Sequence, residues 1–244
     1  MQCPDFAQVA SDKKAYAKAT RQQYDQQDEI YGKTVIQRHG KQMLVQNPPA
    51  LSLTQEELDA VYQLPFQRKP HPMYDAQGGV PGIAEVQFSI AHNRGCFGYC
   101  NFCSIALHQG RRVTCRSEES ILKEAKQITE MPNFKGYIHD VGGPTANFRA
   151  PSCKKQLTKG LCKGKKCLAP EICPAIHADH SEYLHILRQL RKLPKVKKVF
   201  IRSGIRFDYL MKDPSGEFFT DLVQHHISGQ LKVCLLYTSD AADE

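Results

Sequence analysis

Cys96-Phe97-Gly98-Tyr99-Cys100-Asn101-Phe102-Cys103 is the stretch on which the reading of this chain turns. Three thiols fall within eight positions at the spacing C-x3-C-x2-C, and Gly95 and Gly98 let the backbone curl tightly enough to present them to one centre. A cubane iron–sulfur cluster held by three protein thiolates keeps one iron open, much as a catalytic zinc site keeps an open position. The spacing therefore points to a [4Fe–4S] cluster on Cys96, Cys100 and Cys103. Zinc is the competing reading and would need a fourth ligand, which His92 or His108 can supply; cysteines without a metal are the third.

Working outward, residues 85–90 alternate as a β-strand, which puts the cysteine loop at a strand's C-terminal end. Ser117 then caps a helix to about residue 131 with Ile121, Ala125 and Ile128 on one face, followed by a strand over 135–141. Residues 181–193 read as a helix with Leu184, Leu187 and Leu190 inward, stopped by Pro194. A strand over 197–203, a helix over 216–226 and the start of a strand at 230–233 complete the pattern. Strands alternating with helices imply parallel pairing with right-handed crossovers. The expected class is α/β, a partial (β/α) barrel, with chemistry in the loops after its strands.

Upstream lies a different kind of sequence. Residues 11–31 read as a polar helix closed by Gly32, and 34–37 with 43–46 as two β runs around His39-Gly40. Thr54 and Glu57 form a capping box, and 64–82 is a Pro- and Gly-rich linker. The division is thus a lead-in over 1–82, a core over 83–233 and a tail over 234–244.

The 244 residues are 41% hydrophobic and 24% charged, which suits an ordinary globular protein of one or two domains. No run approaches the ~18 apolar residues of a membrane span. The first residues lack a secretory layout, so the cytoplasm is the expected location. The net charge of +8 is local: six lysines lie within 154–166 and six basic residues within 188–198. They read as a hydrated loop and a solvated helix face, with a surface for RNA or another polyanion as the sharper alternative. Nothing in them selects nucleic acid as a substrate.

Ten cysteines are many for a reducing compartment, where clustered thiols bind metal more often than they form disulfides. Cys153, Cys162, Cys167 and Cys173 make a second set in a long, Lys- and Pro-rich loop after the second strand. Loops of that length are usually functional or disordered. An auxiliary iron–sulfur cluster, a structural zinc and unligated thiols all remain open, because the gaps fit neither a zinc ribbon nor a ferredoxin run.

Phe102, immediately before the third cysteine, completes the pattern C-x3-C-x-aromatic-C, and here the sequence resembles the radical S-adenosylmethionine (SAM) superfamily. Leu64-Pro-Phe, Pro70-His-Pro-Met-Tyr74, Phe88-Ser-Ile90, Arg94-Gly-Cys-Phe-Gly98 and His108-Gln-Gly-Arg111 look like the YgiQ-type members. So do Phe134-Lys-Gly-Tyr-Ile-His-Asp-Val-Gly-Gly-Pro-Thr-Ala-Asn147 and Ile201-Arg-Ser-Gly-Ile-Arg-Phe-Asp208. The resemblance implies a barrel of the radical SAM type. It implies a reduced cluster that splits SAM into methionine and a 5′-deoxyadenosyl radical, acting on an unknown substrate. Carried over, Phe102 lies against the adenine, and Gly142-Gly143-Pro144 stands where relatives have a Gly-Gly-Glu-type segment for the methionyl ammonium. Pro144 removes that carboxylate while the glycines keep their close backbone approach. Ser203 and Arg206 take the ribose or carboxylate of SAM, against the plainer reading in which Arg206 pairs with Asp208. Flavodoxin or ferredoxin is the implied electron donor.

Proteins of this type are much longer, and the tail after Val233 departs from their pattern, as a truncated frame or appended segment would. An incomplete barrel is expected to leave sheet edge open and to weaken solubility or activity. Two other classes compete with the enzyme reading: a zinc- or cluster-binding nucleic-acid module, and an iron–sulfur electron carrier.

Overall fold

The computed structural model describes residues 1–234, and the 235–244 part of the expected tail lies outside the described residues. The chain folds as two compact units, each assembled from separate stretches. The first joins Met1–Ser52, Gly95–Arg112 and Pro151–Ile176; the second joins Leu53–Arg94, Val113–Ala150 and the chain from His177 on.

In the second unit the expected strand–helix alternation appears as a ladder of short parallel rungs. Ser89–Ala91 pairs with Asp140–Gly142, placing Ile90 beside Val141, and Tyr137–Ile138 pairs with Lys198–Val199. The Val141 amide reaches the Phe200 carbonyl at 3.0 Å, and Ile205 bridges Val233 in the same parallel sense. The rungs thus follow one another in chain order. Each named sheet among the described residues has two strands, so the fold is mixed α/β with an open ladder, and no closed barrel is present.

Periodicity explains what covers the ladder. Ile121, Ala125 and Ile128 of the helix Glu118–Thr129 and Leu184, Leu187 and Leu190 of the helix Ser181–Arg191 are buried against Ile90, Ile138, Val141 and Val199. Ser117 caps the first of these helices by accepting the Ser120 amide at 3.1 Å, and Thr54 with Glu57 closes the expected capping box on Gln55–Tyr62.

Three expected elements change form. Residues 85–90 are not one strand: Ile83–Val86 is helical, Val86 is exposed, and only Phe88 and Ile90 keep the inward alternation. The expected helix over 216–226 divides into Glu217–Asp221 and a π turn over Leu222–His226, where His226 Nδ1 donates to the Val199 carbonyl at 2.7 Å. The polar helix expected over 11–31 shortens to Lys13–Asp25, begun where the Asp12 carboxylate caps the Lys14 and Ala15 amides and ended well before Gly32, with a separate helix Phe6–Ser11 ahead of it.

The first unit holds the antiparallel hairpin Val35–His39 and Gln42–Gln46, turned at Gly40 with φ +60°. An apolar cluster there gathers Cys3, Ala19 and Val35, with Val9 packed on it. No described helix is long and apolar enough to cross a membrane.

Candidate metal centre and cofactor segments

Gly95–Arg112 is a closed loop, and Gly95 is its neck. Gly95 sits at φ +84°, and a β-carbon there would collide with the Arg112 carbonyl, so no other residue fits without moving that backbone. The Cys96 amide then donates to the Gly110 carbonyl at 3.0 Å, tying the first thiol to the loop's far side. Tyr99 adopts left-handed backbone at φ +50°, turning the chain just before Cys100. The Cys103 amide donates to the Cys100 carbonyl at 3.2 Å, and the short helix Ile105–Gln109 ends the excursion. Cys100 is buried, Cys96 and Cys103 are half-buried, and the Phe102 ring is exposed.

No disulfide joins any of the ten cysteines. Among the described residues no three His, Cys, Asp or Glu side chains are gathered into a ready-made metal site. The donor set itself, three thiols from one short loop, fits an iron–sulfur cluster. It fits four-coordinate zinc less well, because one of the two histidines considered as a fourth ligand is spent. His92 is fully buried, donates through Nε2 to the Ala146 carbonyl at 2.8 Å, and lies 3.4 Å through Nδ1 from Arg149. Burial, aided by the Arg149 and Arg116 charges, pushes its pKa down to about 3. It is a neutral structural histidine. His108 lies exposed on Ile105–Gln109.

The second cysteine set also lies in the first unit. Cys153 precedes the helix Lys154–Lys159, and Lys155 Nζ reaches the Cys162 sulfur at 3.2 Å. The Cys173 amide donates to the Cys167 carbonyl at 2.9 Å, and Cys167 lies 3.5 Å from the Ser152 hydroxyl. Burial raises the Cys167 thiol above its ordinary pKa; the Ser152 bond and the Arg111 charge oppose this, while Cys153 and Cys162 add to it. One carboxylate anchors the loop. Buried Asp28 accepts the Ile30 and Tyr31 amides at 2.8 Å each and the Leu161 amide at 2.6 Å. Gly160, at φ +72°, leaves room for it, since a β-carbon there would stand 2.7 Å from both Asp28 oxygens.

Gly142-Gly143-Pro144 ends the second parallel rung, within the second unit. A β-carbon on Gly142 would meet the Ser203 and Asp140 side chains, and one on Gly143 would meet Asn93, so both glycines are required by packing. Asp140 organises this corner, a role the sequence reading did not assign it. It accepts the Ser203 hydroxyl at 2.5 Å and the Arg202 and Ser203 amides at 2.8 and 3.1 Å. The Gly143 amide in turn donates to Ser203 Oγ at 3.3 Å. Arg206 is buried and bidentate to Asp208, with Nε at 2.7 Å and Nη2 at 2.9 Å. The plainer reading of that arginine is the arrangement present.

Three of the six basic residues over 188–198 are ion-paired: Arg188 and Arg191 meet Asp221, and Lys195 meets Glu130. That favours a solvated, ion-paired helix face there.

The chain is similar to known proteins over nearly its whole length. Residues 1–89 match the family model described as Radical SAM N-terminal. A UPF0313 protein of Clostridium perfringens (strain ATCC 13124) is 57% identical over 230 residues, covering 94% of this chain and 35% of the relative. A UPF0313 protein of Clostridium botulinum (strain Okra) is 57% identical over 240 residues, covering 98% of this chain and 37% of its own length. The chain thus spans little more than a third of these curated relatives. No solved structure matches it.

Proposed function

Because the chain belongs with the UPF0313 proteins of the YgiQ-type radical SAM family, we propose that it carries the cluster- and SAM-binding region of a radical SAM enzyme. The observation that carries this reading is the glycine-necked loop with three thiols directly after the first parallel rung. In this proposal Cys96, Cys100 and Cys103 hold a [4Fe–4S] cluster. With SAM bound, that cluster supplies reductive cleavage to methionine and a 5′-deoxyadenosyl radical.

The chain's own residues bind and orient. The Gly142 carbonyl is already taken by the His92 amide, so Gly143 offers its backbone carbonyl to the methionyl ammonium, with Pro144 adding no carboxylate. Ser203, whose hydroxyl proton goes to Asp140, keeps an acceptor lone pair for a ribose hydroxyl. Phe102 offers an exposed ring to the adenine. Arg206 serves through its Asp208 pair, keeping the turn after Ser203 in place. The second cysteine set we assign to pinning its loop around a zinc ion or an auxiliary cluster. We place the enzyme in the cytoplasm with a flavodoxin or ferredoxin donor, its barrel completed by sequence that the longer relatives possess.

Anaerobic reconstitution, then incubation with dithionite and SAM, tests the reading through 5′-deoxyadenosine. Wild type should form it and Cys100→Ala should not. A preparation that keeps its cluster and forms none loses the enzyme reading. Stoichiometric zinc without a brown chromophore would favour a zinc nucleic-acid module instead. Metal analysis of a variant lacking Cys96, Cys100 and Cys103 isolates the second set, and neither iron nor zinc would sink that centre.

A further inference from the structure

The first unit contains a cavity of about 480 Å³ that the proposed roles above leave unused. Small-molecule sites typically enclose roughly 300–1,000 Å³. One wall is a single face of the helix Lys13–Asp25, where Tyr16, Thr20 and Tyr24 recur at intervals of four. Tyr31 and both cysteine loops supply the rest: Tyr99, Asn101 and Arg111 come from the first loop, and the stretch 162–166 from the second.

Two properties define what fits. The first is charge. Five basic side chains line the cavity against one carboxylate, Asp25, and that carboxylate is already paired with Arg21 at 3.0 Å. Arg111 is the deepest of them, only 6% exposed, and its Nε is buried without a hydrogen-bond partner. A buried guanidinium N–H in that state calls for an acceptor. The second property is planarity. Tyr99 carries the Arg111 guanidinium 4.0 Å above its ring and Tyr24 at 5.5 Å beside it, and Tyr16 stands 61% exposed on the same helix face. Lys163 lies 4.6 Å over Tyr31.

Cations interleaved with aromatic faces are the means by which proteins hold a nucleotide, stacking the base and tracking the phosphate. We propose that this cavity binds a nucleoside phosphate, free or as one unit of a single-stranded RNA. The tyrosines take the base, and Arg111 with the lysines takes the phosphate. SAM is the wrong occupant, because its sulfonium and ammonium would face the lining's excess positive charge. The site does not depend on the radical SAM reading, and its test uses the full chain both as isolated and after iron–sulfur reconstitution.

Titration calorimetry with ATP, tripolyphosphate and SAM, and fluorescence anisotropy with a labelled single-stranded RNA, decide the matter. ATP should bind at least about five-fold more tightly than tripolyphosphate, the lower bound for one stacked base, and SAM should not compete. Tyr16→Ala, an exposed change that leaves the fold intact by circular dichroism, should weaken ATP by about five-fold or more. Lys163→Glu with Lys165→Glu should weaken every phosphate ligand and flatten the salt dependence. RNA binding tenfold more tightly than ATP assigns the site to a strand, and equal affinities assign it to a free nucleotide. Tripolyphosphate binding as well as ATP, indifference to both variants, or no binding at millimolar ligand would each overturn the proposal.

Discussion

In the second unit Ile90, Ile121, Ile138, Leu187 and Val199 are all 1% exposed or less, stacked between parallel rungs and two amphipathic helices. The first unit buries Cys3, Ala19 and Val35 in one small cluster and Phe97, Ala106 and Leu168 in its loops, and adds polar closures. Asp28 takes three amides, Arg112 meets Glu29 at 2.6 Å, and Arg111 rests on Tyr99. The second unit has the larger apolar core, and the first adds directional contacts between loops to a smaller one. Units like the first gain most from a bound ligand or metal, because binding energy then becomes folding energy. It is the first unit that holds both cysteine sets.

The contrast can be broken or sharpened by experiment. The largest effect is expected from Glu124→Gln, because Glu124 pairs with both Arg116 and Arg68, and Arg116 is buried. Removing one partner of a buried pair costs about 3–5 kcal/mol, to be read from urea unfolding. Leu187→Ala should cost about 2–5 kcal/mol by the same measurement, the loss typical of a cavity in a closed core. Gly95→Ala places a β-carbon against Arg112 in left-handed backbone. About 1–3 kcal/mol of strain should appear as faster amide exchange and lower iron content in Gly95–Arg112, with Glu118–Thr129 unchanged. Equal loss of protection in both units would refute the division of labour.

Acid comes next. His92 has a folded pKa of about 3, below the unfolded value of 6.5, so the unfolded chain binds the proton more readily. Its contribution is fully present above pH 6.5, is lost as pH falls toward 3, and is flat below that. The loss is about 1.4 kcal/mol for each pH unit in that window. A His92→Gln variant should show a shallower decline in stability between pH 6 and 4 than wild type, whatever its stability at pH 7. The smallest effect is expected of Lys163→Ala, whose lost contact with Tyr31 is worth about 0.5–1 kcal/mol.

What the sequence made legible follows the same line. Leu184, Leu187 and Leu190 announced a buried helix face through spacing alone, and Thr54 with Glu57 announced a helix start. Val86, Phe88 and Ile90 alternate in the sequence, yet a helical turn claims the first of them, because three apolar residues cannot distinguish a strand from its approach. The cysteine loop was legible as a donor set. Asp140 was not legible as the anchor of Ser203, because its partners are backbone amides 62 and 63 residues away. Nor was Arg111, whose burial over Tyr99 depends on a loop closing at the Gly95 neck. Periodic burial is a local signal, whereas a polar contact between distant loops leaves no period to read.

Asp28 carries a consequence for the order of synthesis. Its carboxylate spans 133 residues of chain to reach the Leu161 amide, and the unit it fastens draws on residues as far as Ile176. A ribosome delivers roughly 5–20 residues each second. The N-terminal segment is therefore outside the exit tunnel for several seconds before its last wall arrives. For the later part of that interval the nascent chain holds Cys96, Cys100 and Cys103 without the loop that later packs beside Asp28. If the proposed cluster is loaded during synthesis, ribosome-bound chains ending before residue 176 should already take up iron, and chains ending after it are the comparison.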